Sequence, residues 1–401
     1  MKMDRSTLSL LISERARELN QDPVGFSPAE WELLVQEAQA EGVAPLLYRA
    51  LSRSGRIVSL PQPVGNRLRA MYFGTRLNNE QVLRELERLA GLFRGSGIPA
   101  VVLKGACFAL TIYPDTGLRP MVDLDLLVPA SKASEALQIA RGSGYAEALP
   151  EASPGLDGLL NHAVCLRKMA LPYTTLELHS TLVAEGSFTH AVPVDWFWSQ
   201  TEPMRGMYLN GSLDHLLMLT PTAQLLYACA HAMLQHGGRS TSLRWLYDLE
   251  RLIRVYAERL DWDLLLSQAR LFEWGSAVSA ALSEVVKLFD TPVPKTVLDG
   301  LLNSSDSNTK RVRTLQDRPA THTLEEYQKW KALNWRGRVR LTLALIAPSP
   351  AYMRWRYGLH GSRALPAWYL YRWWGIFKDA VRTVIRLTQA GYHRSHRTFP
   401  S

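Results

Sequence analysis

The stretch Arg119-Pro120-Met121-Val122-Asp123-Leu124-Asp125-Leu126-Leu127-Val128 constrains the fold more than any other part of the chain. Its alternation has the two-residue period of a β-strand. Asp123 and Asp125 therefore share one face, while Val122, Leu124 and Leu126 point to a core on the other. At a rise of about 3.3 Å per residue, the two acids have Cα atoms roughly 6 to 7 Å apart. That separation suits a pair of divalent cations about 4 Å from one another, and like charges so close call for such a counter-cation. The plain alternative is an edge strand that shows two acids to solvent.

The surrounding segments favour the cation. Val101-Val102-Leu103-Lys104-Gly105 reads as an apolar strand opening into a helix, where backbone N–H groups and the helix dipole receive phosphate beside a lysine. Arg119 lies shortly before Asp123. Downstream, Thr174–His179 alternates again, with Glu177 between leucines and His179 on the same face. Lys104, Gly105 and Arg119 are thus expected at phosphate, and Asp123, Asp125 and Glu177 at metal and chemistry. His162 precedes the strand 163–169, which a Leu171-Pro172-Tyr173 turn joins to 174–182 as a hairpin. The ordinary reading of His162 and His179 is a structural ring bonded to backbone; substrate positioning is the alternative.

These residues resemble the nucleotidyltransferase superfold that includes polymerase beta, with its glycine turn, Asp-x-Asp and later strand acid. More narrowly, Leu103-Lys104-Gly105, Arg119, Asp123–Val128 and Glu177-Leu178-His179 are similar to the motifs of an uncharacterised bacterial nucleotidyltransferase family. Ala44-Pro45-Leu46-Leu47-Tyr48, Cys229-Ala230-His231 and Trp245-Leu246-Tyr247-Asp248 extend the likeness over roughly residues 28 to 260. Two departures stand out: Ala106 follows Gly105 where the superfold usually has Gly or Ser, and the spacing from Gly105 to Asp123 is longer than in compact members.

The resemblance implies an α+β fold, a small mixed β-sheet core with a helical N-terminal lead-in and a mostly helical C-terminal region. It implies a metal-dependent enzyme using two Mg²⁺ ions, with Mn²⁺ as a substitute. Such an enzyme moves a nucleoside monophosphate from an NTP, ATP by default, to a small molecule, peptide or protein and releases pyrophosphate. A variant of this reading transfers the nucleotide to a protein side chain or to a phosphate already carried by a peptide. The competing class is an inactive nucleotidyltransferase-like protein that docks on a membrane surface or an anionic partner. No motif for sequence-specific nucleic-acid recognition is present.

The expected organisation is a helical region over 1–95, a catalytic core over 96–210, a helical domain over 211–303, and a polar loop with a basic aromatic tail over 304–401. Ser27, Pro28 and Glu30 form a helix start with Phe26 stapling onto Trp31. Val82, Leu86, Leu89 and Phe93 mark a long helix. A helix from Pro221 to about Gln235 ends at His236-Gly237-Gly238, and a second begins at Leu243. Asp248 reads as structural, able to orient a histidine or an arginine across that pair. Ser304 to Pro319 reads as a loop, followed by a Thr323/Glu326 capping box.

Charge is unevenly placed. Of the net +9, the segment from Ala351 to Ser401 carries +8, with nine Lys or Arg against Asp379. Its apolar stripe of Leu370, Trp374, Phe377 and Val381 is expected to pack inward, so that peripheral membrane contact is the less favoured reading. The charged N-terminus lacks an apolar export signal, and no apolar run nears the roughly 20 residues of a membrane span. Three scattered cysteines, Cys107, Cys165 and Cys229, fit a reducing, cytoplasmic setting.

Overall fold

The computed structural model describes residues 5–13, 26–148, 150, 152–153, 163–170, 173–182, 192–204, 213, 215–235, 241–302, 330, 333, 335–359 and 365–395. Outside them lie His162, the Leu171-Pro172 turn, His236-Gly237-Gly238, the polar stretch 304–319 and the Thr323/Glu326 pair.

Seven strands form one mixed sheet: β1 (Val101–Val102), β2 (Asp123–Leu127), β3 (Tyr145–Glu147), β4 (Ala163–Lys168), β5 (Thr174–His179), β6 (Thr201–Pro203) and β7 (Leu217–Leu219). Their order is β3-β4-β5-β2-β1-β7-β6, so the acidic strand is central and not an edge. It runs parallel to β5 and antiparallel to β1; β7 is parallel to β1 and antiparallel to β6. With helices before, between and after the strands, the fold is α+β, as the sequence implies.

The chain divides into two compact units. The larger comprises Met1–Ala146, Cys165–Thr181 and Val192–Asp317. Its core follows from strand alternation. Leu124, Leu126 and Val128 lie on one face with Leu176 and Leu178, packed with Val82, Leu86, Leu89 and Phe93 of the helix Gln62–Gly95. Ala136 and Ala140 of the helix Ala133–Gly142 join the same cluster. The helix Gln62–Gly95 is thus built into the core of the sheet. Val122, expected in that core, is instead 70% exposed. Pairing begins at Asp123, and without a ladder nothing holds Val122 to the alternation.

Local signals hold elsewhere. Ser27 and Glu30 form the reciprocal capping box of the helix Pro28–Ala40, and the Phe26 and Trp31 rings meet edge to face at 5.2 Å. The helices Pro221–Ala230, Leu243–Val255, Trp262–Leu271 and Gly275–Phe289 follow the sheet. Beyond Ala230 the first widens into a π turn, His231–Gln235. Phe197, Phe272 and Trp274 make the aromatic heart of this region, with ring centroids 5.4 to 6.1 Å apart.

The smaller unit comprises Glu147–Val164, Leu182–Ala191 and Arg318–Ser401. Its described helices are Trp335–Ile346, Pro350–Tyr357 and Leu365–Ser395. Tyr369 donates to the Pro348 carbonyl, Arg372 Nε to Leu345 O at 3.2 Å, and the Trp373 indole to Ile346 O. The long helix therefore turns the Tyr369-Arg372-Trp373 side toward its neighbours. The stripe expected to pack inward faces outward: Leu370 is 63%, Trp374 57% and Phe377 57% exposed. Among the described residues no helix is long and apolar enough to cross a membrane.

Trp274 is fully buried in the larger unit. Trp274→Ala should lower the stability of that unit by about 3–5 kcal/mol, read as a shifted urea midpoint with an unchanged slope.

Candidate active site

The parallel register between β2 and β5 sets Asp123 beside Thr175, Asp125 beside Glu177 and Leu127 beside His179. Acids from two strands thus meet on the face opposite the leucine core. Buried Asp125 anchors them: its Oδ1 accepts from Lys104 Nζ at 2.9 Å and lies 2.9 Å from His179 Nε2. His179 Nε2 is in turn 3.7 Å from Glu177 Oε2. Asp125, Glu177 and His179 each offer a ligand atom within 4.8 Å of the others, a group able to hold a metal ion. Asp123, expected as a ligand in its own right, stands next to this group, half-buried.

Charge is unequally shared. Burial opposes ionisation of Asp125, but Lys104 and His179 overcome it and hold the carboxyl well below its usual range. An ionised carboxylate can only accept, so His179 Nε2 carries the proton of that bond. Burial also keeps the His179 ring from charging, although Asp125 pulls the other way. Glu177 is pushed up to about 7 by burial and by the Asp125 charge. The same two causes raise Asp123. Burial opposes the Lys104 ammonium, yet the Tyr227 and Asp125 oxygens leave it more firmly protonated than an ordinary lysine.

The turn that delivers Lys104 is held from both sides. Leu103 N donates to Asp125 O at 3.0 Å, continuing the β1–β2 pairing up to the turn. Lys104 itself sits at φ +42°, a left-handed conformation that costs a non-glycine residue of order 1–3 kcal/mol. Gly105 then opens the helix Lys104–Thr111. A Cβ there would lie 2.8 Å from Arg119 Nη1, so the glycine admits the guanidinium. Ala106 is buried in the sheet core, so this departure from the Gly or Ser pattern points into packing.

Arg119, expected at phosphate, is committed elsewhere. It is buried, with Nη2 2.7 Å and Nε 3.2 Å from the two Asp248 oxygens and Nη1 donating to Pro120 O at 2.9 Å. Tyr113 OH also donates to Asp248 Oδ1, at 2.7 Å. Asp248 therefore orients an arginine across the helix, one of the roles its position allowed. From the long helix, buried Asn79 donates to Arg119 O at 2.8 Å and accepts from Met121 N at 3.3 Å. Asn79 pins the approach to β2; nothing in its local sequence signals that role.

Sequence reasoning also missed Arg244, at the start of the helix Leu243–Val255. It reaches Pro120 O at 3.3 Å through Nη1, packs where a Gly42 Cβ would stand, and interacts electrostatically with Asp123. Its buried Nε has no hydrogen-bond partner, and no carboxylate among the described residues is within ion-pair distance. Burial and the like charge of Arg119 weaken its hold on the proton. One donor of this guanidinium, Nε, is thus left over for a further acceptor.

Acids from two adjacent strands of a mixed sheet beside a lysine-glycine turn are the arrangement expected of a nucleotidyltransferase. The family model described as "Uncharacterised nucleotidyltransferase" matches residues 27–290, and the chain belongs to that family. Among solved structures, it is similar to an antigenic nucleotidyltransferase-like protein from Paracoccidioides brasiliensis. The two are 13% identical, with 57% of this chain and 95% of that one covered and a TM-score of 0.31. No curated protein matches the sequence.

Gly105→Ala should destabilise the fold by roughly 1–3 kcal/mol in thermal or urea melts, although alanine is the better helix former, because Arg119 cannot yield without loosening Asp248. A second expectation concerns protons. Folded Glu177 keeps a proton above its ordinary value of 4.5, up to about 7, so stability without metal falls as pH rises through that window. A divalent cation must displace this proton. Calorimetry of Mg²⁺ binding near pH 6.5 in buffers of different ionisation enthalpy should show proton release, with affinity rising toward pH 8.

Proposed function

We propose that the protein transfers a nucleoside monophosphate from an NTP, with ATP the default donor, to an acceptor oxygen and releases pyrophosphate. The observation that carries this reading is the Asp125–Glu177 register pair with Asp123 beside it and Lys104 bonded to Asp125. Three carboxylates gathered on one face of a central sheet repel one another and fit a divalent cation. Asp123, Asp125 and Glu177 would hold one or two Mg²⁺ ions, or Mn²⁺, which supply charge neutralisation at the triphosphate and acidify the acceptor hydroxyl.

The protein groups have separate tasks. His179 donates to Asp125 and keeps that carboxylate oriented. Lys104 stays charged and, with the Gly105 amide, stabilises negative charge that moves onto the departing pyrophosphate. Arg244 takes the phosphate-binding part first expected of Arg119, while Arg119 and Asp248 hold the turn in place. Glu177 accepts the acceptor's proton as its oxygen bonds to the α-phosphorus and the bond to pyrophosphate breaks. No covalent enzyme intermediate is needed, so positioning and electrostatics provide most of the acceleration. The inactive-binder reading rested on Ala106, whose side chain packs in the buried core cluster.

The test is incubation with each labelled NTP, Mg²⁺ and cell extract or candidate acceptors, following pyrophosphate and labelled product. Asp125→Asn should lower turnover by about a hundredfold or more, and equal activity in wild type and this variant would sink the proposal. Glu177→Gln should lose most turnover while keeping NTP affinity. Arg244→Ala should raise KM for the NTP by about tenfold without lowering the melting temperature, because it also removes repulsion from Arg119.

A further inference from the structure

The C-terminal helices lie beyond the residues matched by the family, and their surface is unlike that of the rest of the chain. Trp335, Val339, Leu343 and Ile346 are exposed at helical spacing along Trp335–Ile346. Leu370, Trp374, Phe377 and Val381 do the same along Leu365–Ser395. Half of the 24 exposed large apolar side chains of the described residues fall between 335 and 381. Soluble surfaces scatter such residues singly; a run at a period of three to four is a face awaiting an apolar environment.

Charge shows what that environment is. From 335 to 395 the sequence has 11 Lys or Arg and one acid, Asp379; with 46 and 37 in the whole chain, the remainder has 35 and 36. The entire positive excess of the protein therefore sits with the exposed apolar stripes. Cationic groups lie over the rings themselves: Arg336 is 5.3 Å from the Trp335 centroid and Lys378 5.8 Å from that of Trp374. This is the composition of a helix that lies in a membrane interface, apolar face among acyl chains and basic groups at anionic headgroups.

We propose that the helices Trp335–Ile346 and Leu365–Ser395 dock the protein peripherally on an anionic lipid surface. A second copy of the chain is a poor occupant, because it would press one strongly positive surface against another. A nucleic acid would satisfy the charge but leave Val339, Leu343, Leu370 and Val381 without a partner. No spanning helix is required, as the anchoring comes from partial burial plus electrostatic attraction.

The experiment uses the full chain with vesicles of phosphatidylcholine alone and of phosphatidylcholine mixed with phosphatidylserine. Sedimentation should favour the mixed vesicles by about tenfold or more and fall as salt is raised. Trp374→Ser with Phe377→Ser should weaken binding by about tenfold while the melting curve stays in place, since both side chains are exposed. Should that variant melt early, Lys378→Glu with Arg382→Glu decides, with the same loss expected. Equal binding to the two vesicle types, no binding, or binding unchanged in the folded variants overturns the proposal. So does a concentration-dependent dimer that the Trp374/Phe377 variant dissolves.

Discussion

Asp125 carries a buried negative charge that no other part of the site can do without. Its carboxylate receives Lys104 from one strand end and faces His179 on the neighbouring strand, while its backbone carbonyl accepts from Leu103. One residue thereby links β1, β2 and β5 and sets where the lysine, the histidine and Glu177 stand. A buried carboxylate is tolerable only when paired and hydrogen-bonded, so the geometry around it is tightly determined. The raised pKa of Glu177 follows from its burial and from this neighbouring charge, because a half-buried second carboxylate beside the first resists ionising.

A second buried ion pair supports this arrangement from behind. Arg119 and Asp248, with Tyr113, join the loop before β2 to the helix Leu243–Val255, and Gly105 leaves the space into which the guanidinium fits. The strained Lys104 backbone is held by this framework and by pairing to β2. Breaking a buried pair of this kind leaves an uncompensated charge and costs about 3–5 kcal/mol, enough to release the turn it supports. Arg244, on the same helix, shows the contrast: among the described residues no carboxylate comes within ion-pair distance of it, although Asp248 and Asp123 act on it from farther away.

The smaller unit obeys a different balance. Its helices Trp335–Ile346 and Leu365–Ser395 leave apolar and aromatic side chains exposed, whereas the larger unit completes its own core around the sheet and Trp274. The candidate site and the exposed apolar stripes therefore lie on separate stretches of sequence.

Local patterns revealed the acidic strand, the Glu177 strand, the lysine-glycine turn, the capping box at Ser27 and the long helix, because periods of 2 and 3.6 and cap chemistry are written within a few neighbouring residues. The family likeness rests on the same short motifs. Other features depend on groups far apart in the chain. Arg119 meets Asp248 across 129 residues, and Asn79 meets Arg119 across 40, so neither role could be read from a window of sequence. Val122 left the core because strand pairing began one residue later, and the tail stripe stayed exposed because Tyr369, Arg372 and Trp373 supplied the bonded side of the helix. The sequence by itself determined which segments alternate, which turn and which carry charge. Tertiary structure decided that Arg119 is consumed by Asp248 while Arg244 is left outside any ion pair among the described residues, since pairing of buried charges is settled by three-dimensional neighbours.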